Sequence, residues 1–114
     1  MTLNELKSKY NFHDSSIESI LYDKSKSELS IAIDFCYWLQ ENFDEESSEK
    51  ENGLVSLAFS GVTDYNWRIG EIDSYDILEI EIEGDEVYMR VLDAFNSNYY
   101  DLTFNAKSVE FVEK

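Results

Sequence analysis

The sequence is sparing with groups that could do covalent chemistry. His13 is the only histidine and Cys36 the only cysteine. His13 stands in Phe12-His13-Asp14-Ser15. A His beside an Asp is the material of a general base or of two metal ligands. A catalytic metal site normally takes three protein ligands, and the sequence has no second His and no pair of Cys. Carboxylates alone can hold Mg²⁺ or Ca²⁺, but no spacing resembles an EF-hand loop. The structural reading of the motif is preferred: Asp14 or Ser15 caps a turn, and His13 bonds a backbone carbonyl. Cys36 ends an apolar run without a cationic neighbour in sequence to lower its pKa, and reads as a small core residue. Ser60-Gly61 lacks the earlier glycine of a nucleophile elbow, since Ala58 stands there. Four glycines in all leave no GxGxxG or Walker loop. The expectation is a protein that is not an enzyme, with no catalytic residue, metal or cofactor.

Carboxylates are the abundant chemistry. Nine Lys and Arg against 25 Asp and Glu leave a formal charge of −16 over 114 residues. That charge argues against a nucleic-acid binder, because phosphates are neutralised by Lys and Arg. It argues equally against docking on anionic membranes. It suits a basic protein partner, or solubility alone. Residues 71–86 carry eight acids and no base, and Glu41–Asn52 carries six acids and one lysine. The second stretch reads as an exposed, mobile acidic loop inside a single domain spanning 1–114. Hydrophobic residues make up 43% and aromatics 15%, which separates the chain from disordered acidic proteins. The length supports one domain. Met1–Tyr10 lacks an apolar leader core, and no apolar run is long enough to span a bilayer, so a cytoplasmic protein is expected.

These carboxylates need elements to carry them. Thr2–Tyr10 reads as a short helix, with Thr2 as N-cap and Glu5 closing a capping box. Leu3, Leu6 and Tyr10 form its apolar stripe. From Ser15 the period becomes two. Strands are expected at Ile17–Asp23, with a bulge at Ile20-Leu21, then at Glu28–Phe35, Gly53–Val62 and Asp76–Glu83. Further strands follow Gly84-Asp85, then at Tyr99–Phe104 and Ser108–Val112. Thr63–Ser74 reads as a loop crossing the sheet edge. Gly84-Asp85 suits a two-residue type II′ hairpin. It sets Ile82 opposite Val87, Ile80 opposite Met89, Leu78 opposite Val91, Glu79 opposite Arg90 and Glu81 opposite Tyr88. The fold class is α+β and mainly β. A short N-terminal helix precedes a curved, mostly antiparallel sheet of six or seven strands, a partial barrel or sandwich.

Such a sheet carries Glu79, Glu81 and Glu83 in a row on one face, about 6.6–7 Å apart. Two readings of the row stand: a solvated outer face, or a surface for a basic partner. Tyr37, Trp38, Tyr65, Trp67, Tyr75, Tyr88 and Tyr99 are more aromatics than one buried face absorbs. They supply either partner anchors or a second packed face. The candidate contacts are Asp73, Asp76, Glu79, Glu81 and Glu83, with Tyr65, Trp67 and Tyr75 as anchors; His13 and Asp14 form a structural motif.

Phe12-His13-Asp14-Ser15, followed by Ile17, Ile20 and the alternating Leu29-Ile31-Ile33, resembles the opening of a group of small bacterial β-rich proteins. Leu57-Ala58-Phe59-Ser60-Gly61-Val62 is similar to their middle strand, and Leu102–Val109 to their closing pair. Many of these proteins have no known function, and some are immunity proteins of polymorphic toxin systems. The resemblance implies a toxin-neutralising binder without catalytic residues. The acidic stretch Glu41–Asn52 has no counterpart in that pattern. The leading expectation is therefore an immunity-type protein that occludes a basic toxin domain, most plausibly a nuclease. The alternative is a small structural or housekeeping domain that self-associates as a homodimer, its acidity serving solubility only.

Overall fold

The computed structural model describes residues 1–37, 40, 52–66, 75–93 and 97–113. Helix α1 (Leu3–Lys9) precedes eight strands: β1 (Ser16–Asp23), β2 (Glu28–Cys36), β3 (Asn52–Ser60), β4 (Thr63–Asn66), β5 (Tyr75–Glu83), β6 (Glu86–Asp93), β7 (Asn98–Asn105) and β8 (Ser108–Glu113). The strands form one sheet in the order β4-β7-β6-β5-β1-β2-β3-β8. Every neighbouring pair is antiparallel. Among the described residues β4 and β8 do not pair, so the sheet stays open.

Thr2 caps α1 through its side chain, which accepts from the Glu5 N–H, while the Glu5 carboxylate accepts from the Thr2 N–H. Both orphan donors are satisfied where a helix of seven residues most needs it. Leu3 and Leu6 are buried, and Tyr10 stacks on Phe111 of β8 with centroids 4.0 Å apart. Full burial of a side chain such as Leu6 contributes about 2 kcal/mol.

The middle of the sheet is narrow. β1 meets β5 only at Ser16 opposite Asp76 and Ile17 opposite Tyr75. Just before β1 the Asp14 N–H donates to the Ile77 carbonyl at 2.9 Å, and the Ile77 N–H donates to the Ser15 carbonyl at 2.8 Å. Asp14 takes φ 67 to make that turn. A joint this short lets the two half-sheets swing towards each other. Phe59 of β3 and Phe104 of β7, far apart in strand order, meet with ring centroids 4.8 Å apart. At another point Tyr22 of β1 stacks on Tyr65 of β4, centroids 4.5 Å apart. Leu29, Ile31, Ile33, Val55, Leu57, Val87, Met89, Val91 and Leu102 fill the space between the halves.

The structure corrects the expected strand count to eight. Thr63–Asn66 pairs with β7 instead of lying in a loop. Its four residues show no alternation, and Asp64 sits at φ 55, so periodicity has nothing to detect there. Asn52 opens β3; the remainder of the acidic stretch, 41–51, lies outside the described residues. The β1 register shift falls between Ile17 and Ser19, not at Ile20-Leu21. In the β5–β6 hairpin, Ile82–Val87, Ile80–Met89, Glu79–Arg90 and Glu81–Tyr88 pair as expected. A bulge between Ile77 and Glu79 then changes the parity. Ile77, rather than Leu78, lies opposite Val91. Gly84 takes φ 61 while Asp85 keeps a negative φ, the pattern of a type II′ turn.

Two stability experiments probe this frame. Ser15→Ala leaves the Cys36 N–H without its acceptor inside the protein and is expected to cost about 1–3 kcal/mol in urea unfolding. An unchanged midpoint would show that the Ser15 hydroxyl does not brace the joint. Gly61 has φ 66, and a Cβ there would lie 2.5 Å from Lys107 Cγ, whereas Gly84 has open space around it. Gly61→Ala is therefore expected to lower the melting temperature more than Gly84→Ala, although both carry the positive-φ cost.

Candidate acidic interface

The outer face of β5, β6 and β7 follows from the register. Side chains that alternate away from the core stand in four cross-strand rows: Asp76–Leu92–Tyr99, Glu79–Arg90–Asp101, Glu81–Tyr88–Thr103 and Glu83–Glu86–Asn105. Among the described residues these rows hold six carboxylates and one cation, Arg90, while Lys7 of α1 lies beside Glu81, Glu83 and Glu86. Asp64 of β4 joins them at the edge, where its Oδ2 accepts from Asn105 Nδ2 at 2.9 Å. Glu79, Glu81 and Glu83 are all exposed.

A small polar network organises the centre of the face. The Tyr88 hydroxyl donates to Asp101 Oδ1 at 2.7 Å, and Arg90 Nε lies 3.5 Å from the same oxygen. That hydrogen bond, followed by partial burial and the Asp101 charge, raises the Tyr88 pKa above its ordinary value. Its neighbours hold Arg90 firmly protonated, Tyr88 being the larger influence. Exposed ion pairs such as Arg90–Asp101 contribute little to stability, but the network fixes where the phenol points. Tyr99 is 64% exposed and lies one cross-strand row from Arg90 and Asp101. Tyr88 and Tyr99 are amphipathic groups this face offers, and Leu92 adds an apolar one.

The residues selected from sequence divide as follows. Asp76, Glu79, Glu81 and Glu83 are brought onto one face, and Ser16 Oγ donates to Asp76 Oδ1 at 3.0 Å. Asp73 and Trp67 lie outside the described residues, as does Trp38. Tyr75 requires a correction: it is 5% exposed, packed edge-on against Tyr100, and offers no ring to a partner. The bulge before Glu79 is the cause, because it turns Tyr75 and Ile77 inward and Asp76 outward. Tyr65 is half-buried against Tyr22, and burial raises its pKa. Tyr37 packs on Phe35 and also has a raised pKa, from burial and then from Glu113. Tyr88 and Tyr99 stand among the surplus aromatics of the sequence but not among its candidate contacts, and the structure puts both on the acidic face. Tyr88 was detectable, since the hairpin register already set it opposite Glu81.

The motif Phe12-His13-Asp14-Ser15 sits at the joint of the half-sheets. Phe12 is buried against Phe35 and Tyr10. Ser15 is fully buried, and its Oγ accepts from the Cys36 N–H at 3.1 Å. His13 points outward, its Nδ1 3.3 Å from Asp14 Oδ2, with both side chains more than half exposed. Cys36 is buried, its Sγ 3.4 Å from the Asp14 carbonyl and from Asn52 Nδ2. Among the described residues no three His, Cys, Asp or Glu side chains converge as a metal site, and no helix is long and apolar enough to cross a membrane.

Comparison of the chain with protein-family models, with curated proteins and with solved structures returns no match.

The Tyr88–Asp101 bond makes a pH prediction of definite sign. A tyrosine pKa raised by folding contributes stability that is fully present below about pH 10 and is lost as pH rises through the folded value. Asp101→Asn removes the acceptor charge, so Tyr88 is expected to ionise at lower pH, as followed by tyrosine ring ¹³C NMR. No movement of the Tyr88 signal would show that Asp101 does not control it.

Proposed function

We propose that this chain is a binding protein that engages a basic protein partner through the outer face of β5, β6 and β7. The observation that carries the reading is the concentration of Asp76, Glu79, Glu81, Glu83, Glu86 and Asp101 on one face, where Arg90 is the one cation in the described cross-strand rows. Such a face repels itself, and a cationic partner relieves that repulsion. Opposed charge speeds the encounter, while Tyr88, Tyr99 and Leu92 supply amphipathic contact area. With the likeness to immunity proteins, the favoured partner is a bacterial toxin domain, a basic nuclease being the best match to carboxylates standing where phosphates would go. In this reading the chain acts in the cytoplasm by occlusion and performs no chemistry.

A second reading is favoured by the opposite half-sheet. On the outer face of β1, β2, β3 and β8, Ser19, Ala32 and Ser56 stand with Val112, and Leu21 stands with Ser30, Ala58 and Glu110; Asp34 lies in the row on one side of these and Asp23 and Glu28 in the row on the other. Leu21 is 71% exposed, and Leu54 and Val112 are exposed as well. The apolar and small residues at the centre of this surface suit self-association, the carboxylates then serving solubility.

The discriminating experiment is capture from the native lysate at low salt with mass spectrometry, followed by binding kinetics with the captured protein. A basic partner whose association slows at least about tenfold on Glu79→Lys/Glu81→Lys/Glu83→Lys, and slows likewise as salt rises, supports the acidic-face reading. Salt-insensitive dimerisation in ultracentrifugation, with no partner captured, overturns it in favour of the second.

A further inference from the structure

The acidic row lies on a strand whose other edge is open. β5 is paired with β6 along its length, but with β1 only at Tyr75 and Asp76. In a two-residue hairpin the pair closing the turn exchanges both of its backbone bonds, and alternate residues direct theirs to the opposite edge. Glu83–Glu86 closes this turn, so Ile82 and Ile80 direct their N–H and C=O groups away from β6. The Ile82 carbonyl does face that way, since it lies 3.5 Å from Lys7 Nζ of α1. Among the described residues no other backbone or side-chain partner meets this edge beyond Ile77.

The space beside the edge is shaped to receive chain. A cleft of about 280 Å³ lies between β5 and the segment leaving α1, lined by Tyr10, Phe12, Leu78, Ile80 and Ile82 among others. A second hollow of about 460 Å³ continues past Lys7 along Glu81, Glu83, Glu86 and Tyr88. The other edges are managed differently. Met1 pairs with β8 at Val109, its ammonium donating to the Val109 carbonyl at 2.9 Å and its carbonyl accepting from the Val109 N–H at 3.1 Å. β4 is only four residues long.

We propose that the open edge of β5, from Leu78 to Glu83, accepts an extended segment of the basic partner as an added strand. This rests on the acidic-face reading and names how and what that face binds. Side chains of an added strand alternate between the two faces of the sheet. One set lies beside Glu79, Glu81 and Glu83; the other lies over Ile80, Ile82 and the Tyr10–Phe12 wall of the cleft. The segment that fits alternates Lys or Arg with apolar residues. A second copy of this chain is disfavoured at the same edge, because pairing β5 with β5 sets two rows of glutamates together.

The test uses the synthetic peptide Lys-Val-Lys-Val-Lys-Val-Lys and ¹⁵N-labelled full chain. It is expected to bind, to slow hydrogen exchange at the Ile80 and Ile82 amides at least about tenfold, and to give cross-strand NOEs to β5. The block peptide Lys-Lys-Lys-Val-Val-Val-Lys, of equal charge and composition, is expected to bind at least about tenfold more weakly. Lys7→Ala frees the Ile82 carbonyl and removes a like charge, and is expected to tighten binding of the alternating peptide. Equal affinity for the two peptides, or binding that leaves Ile80 and Ile82 exchange unchanged, overturns edge pairing. The acidic-face reading survives that result if the captured partner still responds to charge reversal at Glu79, Glu81 and Glu83. It fails separately if neither peptide nor partner responds to those substitutions.

Discussion

The organisation of this molecule depends on the short joint between β1 and β5. Among the described residues, two residue pairs, two flanking backbone hydrogen bonds and the Ser16–Asp76 side-chain bond unite the half-sheets along β1 and β5. Ser15 is the centre of that joint. Its carbonyl accepts from Ile77, its N–H donates to Phe12, and its buried hydroxyl accepts from Cys36. A buried polar group is tolerated only when its partners are in place, and here each partner belongs to a different part of the chain. Because the contact is brief, β1 and β5 diverge on either side of it. The divergence brings Phe59 opposite Phe104 and creates the core that α1 closes.

Divergence has a second consequence. A strand paired on both sides along its length has no backbone groups to offer. β5 leaves the joint at Ile77 and runs on to Glu83 with β6 as its one lasting neighbour. The geometry that builds the core therefore also leaves a strand edge beside α1, with one carbonyl occupied by Lys7. Glutamates alternating along the same strand set the charge of the approach to that edge.

The two outer faces differ in a way that net charge conceals. On one side Ser, Ala, Leu and Val stand among Asp23, Glu28, Asp34 and Glu110; on the other, five carboxylates surround the Tyr88–Asp101–Arg90 network. The six carboxylates of the β5–β6–β7 face give it a negative local field, and fields of that kind govern encounter rates more than affinities.

Alternation and turn chemistry were sufficient to read the helix cap, the type II′ hairpin and the positions of most strands, because these depend on neighbours in the chain. Thr2 and Glu5, or Gly84 and Asp85, act within a few residues of each other. Bulges are different. In Tyr75-Asp76-Ile77-Leu78, adjacent Ile77 and Leu78 are equally apolar, so nothing local says which is the extra residue. Pairing with β6 decides it, and with it the inward turn of Tyr75 and the outward turn of Asp76. β4 likewise exists only because β7 offers it an edge. The sequence by itself determined the acidity, the aromatic content and the local strand periods, which are properties of residues and near neighbours. Only the tertiary structure decided which carboxylates share a face, which tyrosines reach solvent and which strand edge stays open, because each depends on contacts between segments distant in the chain.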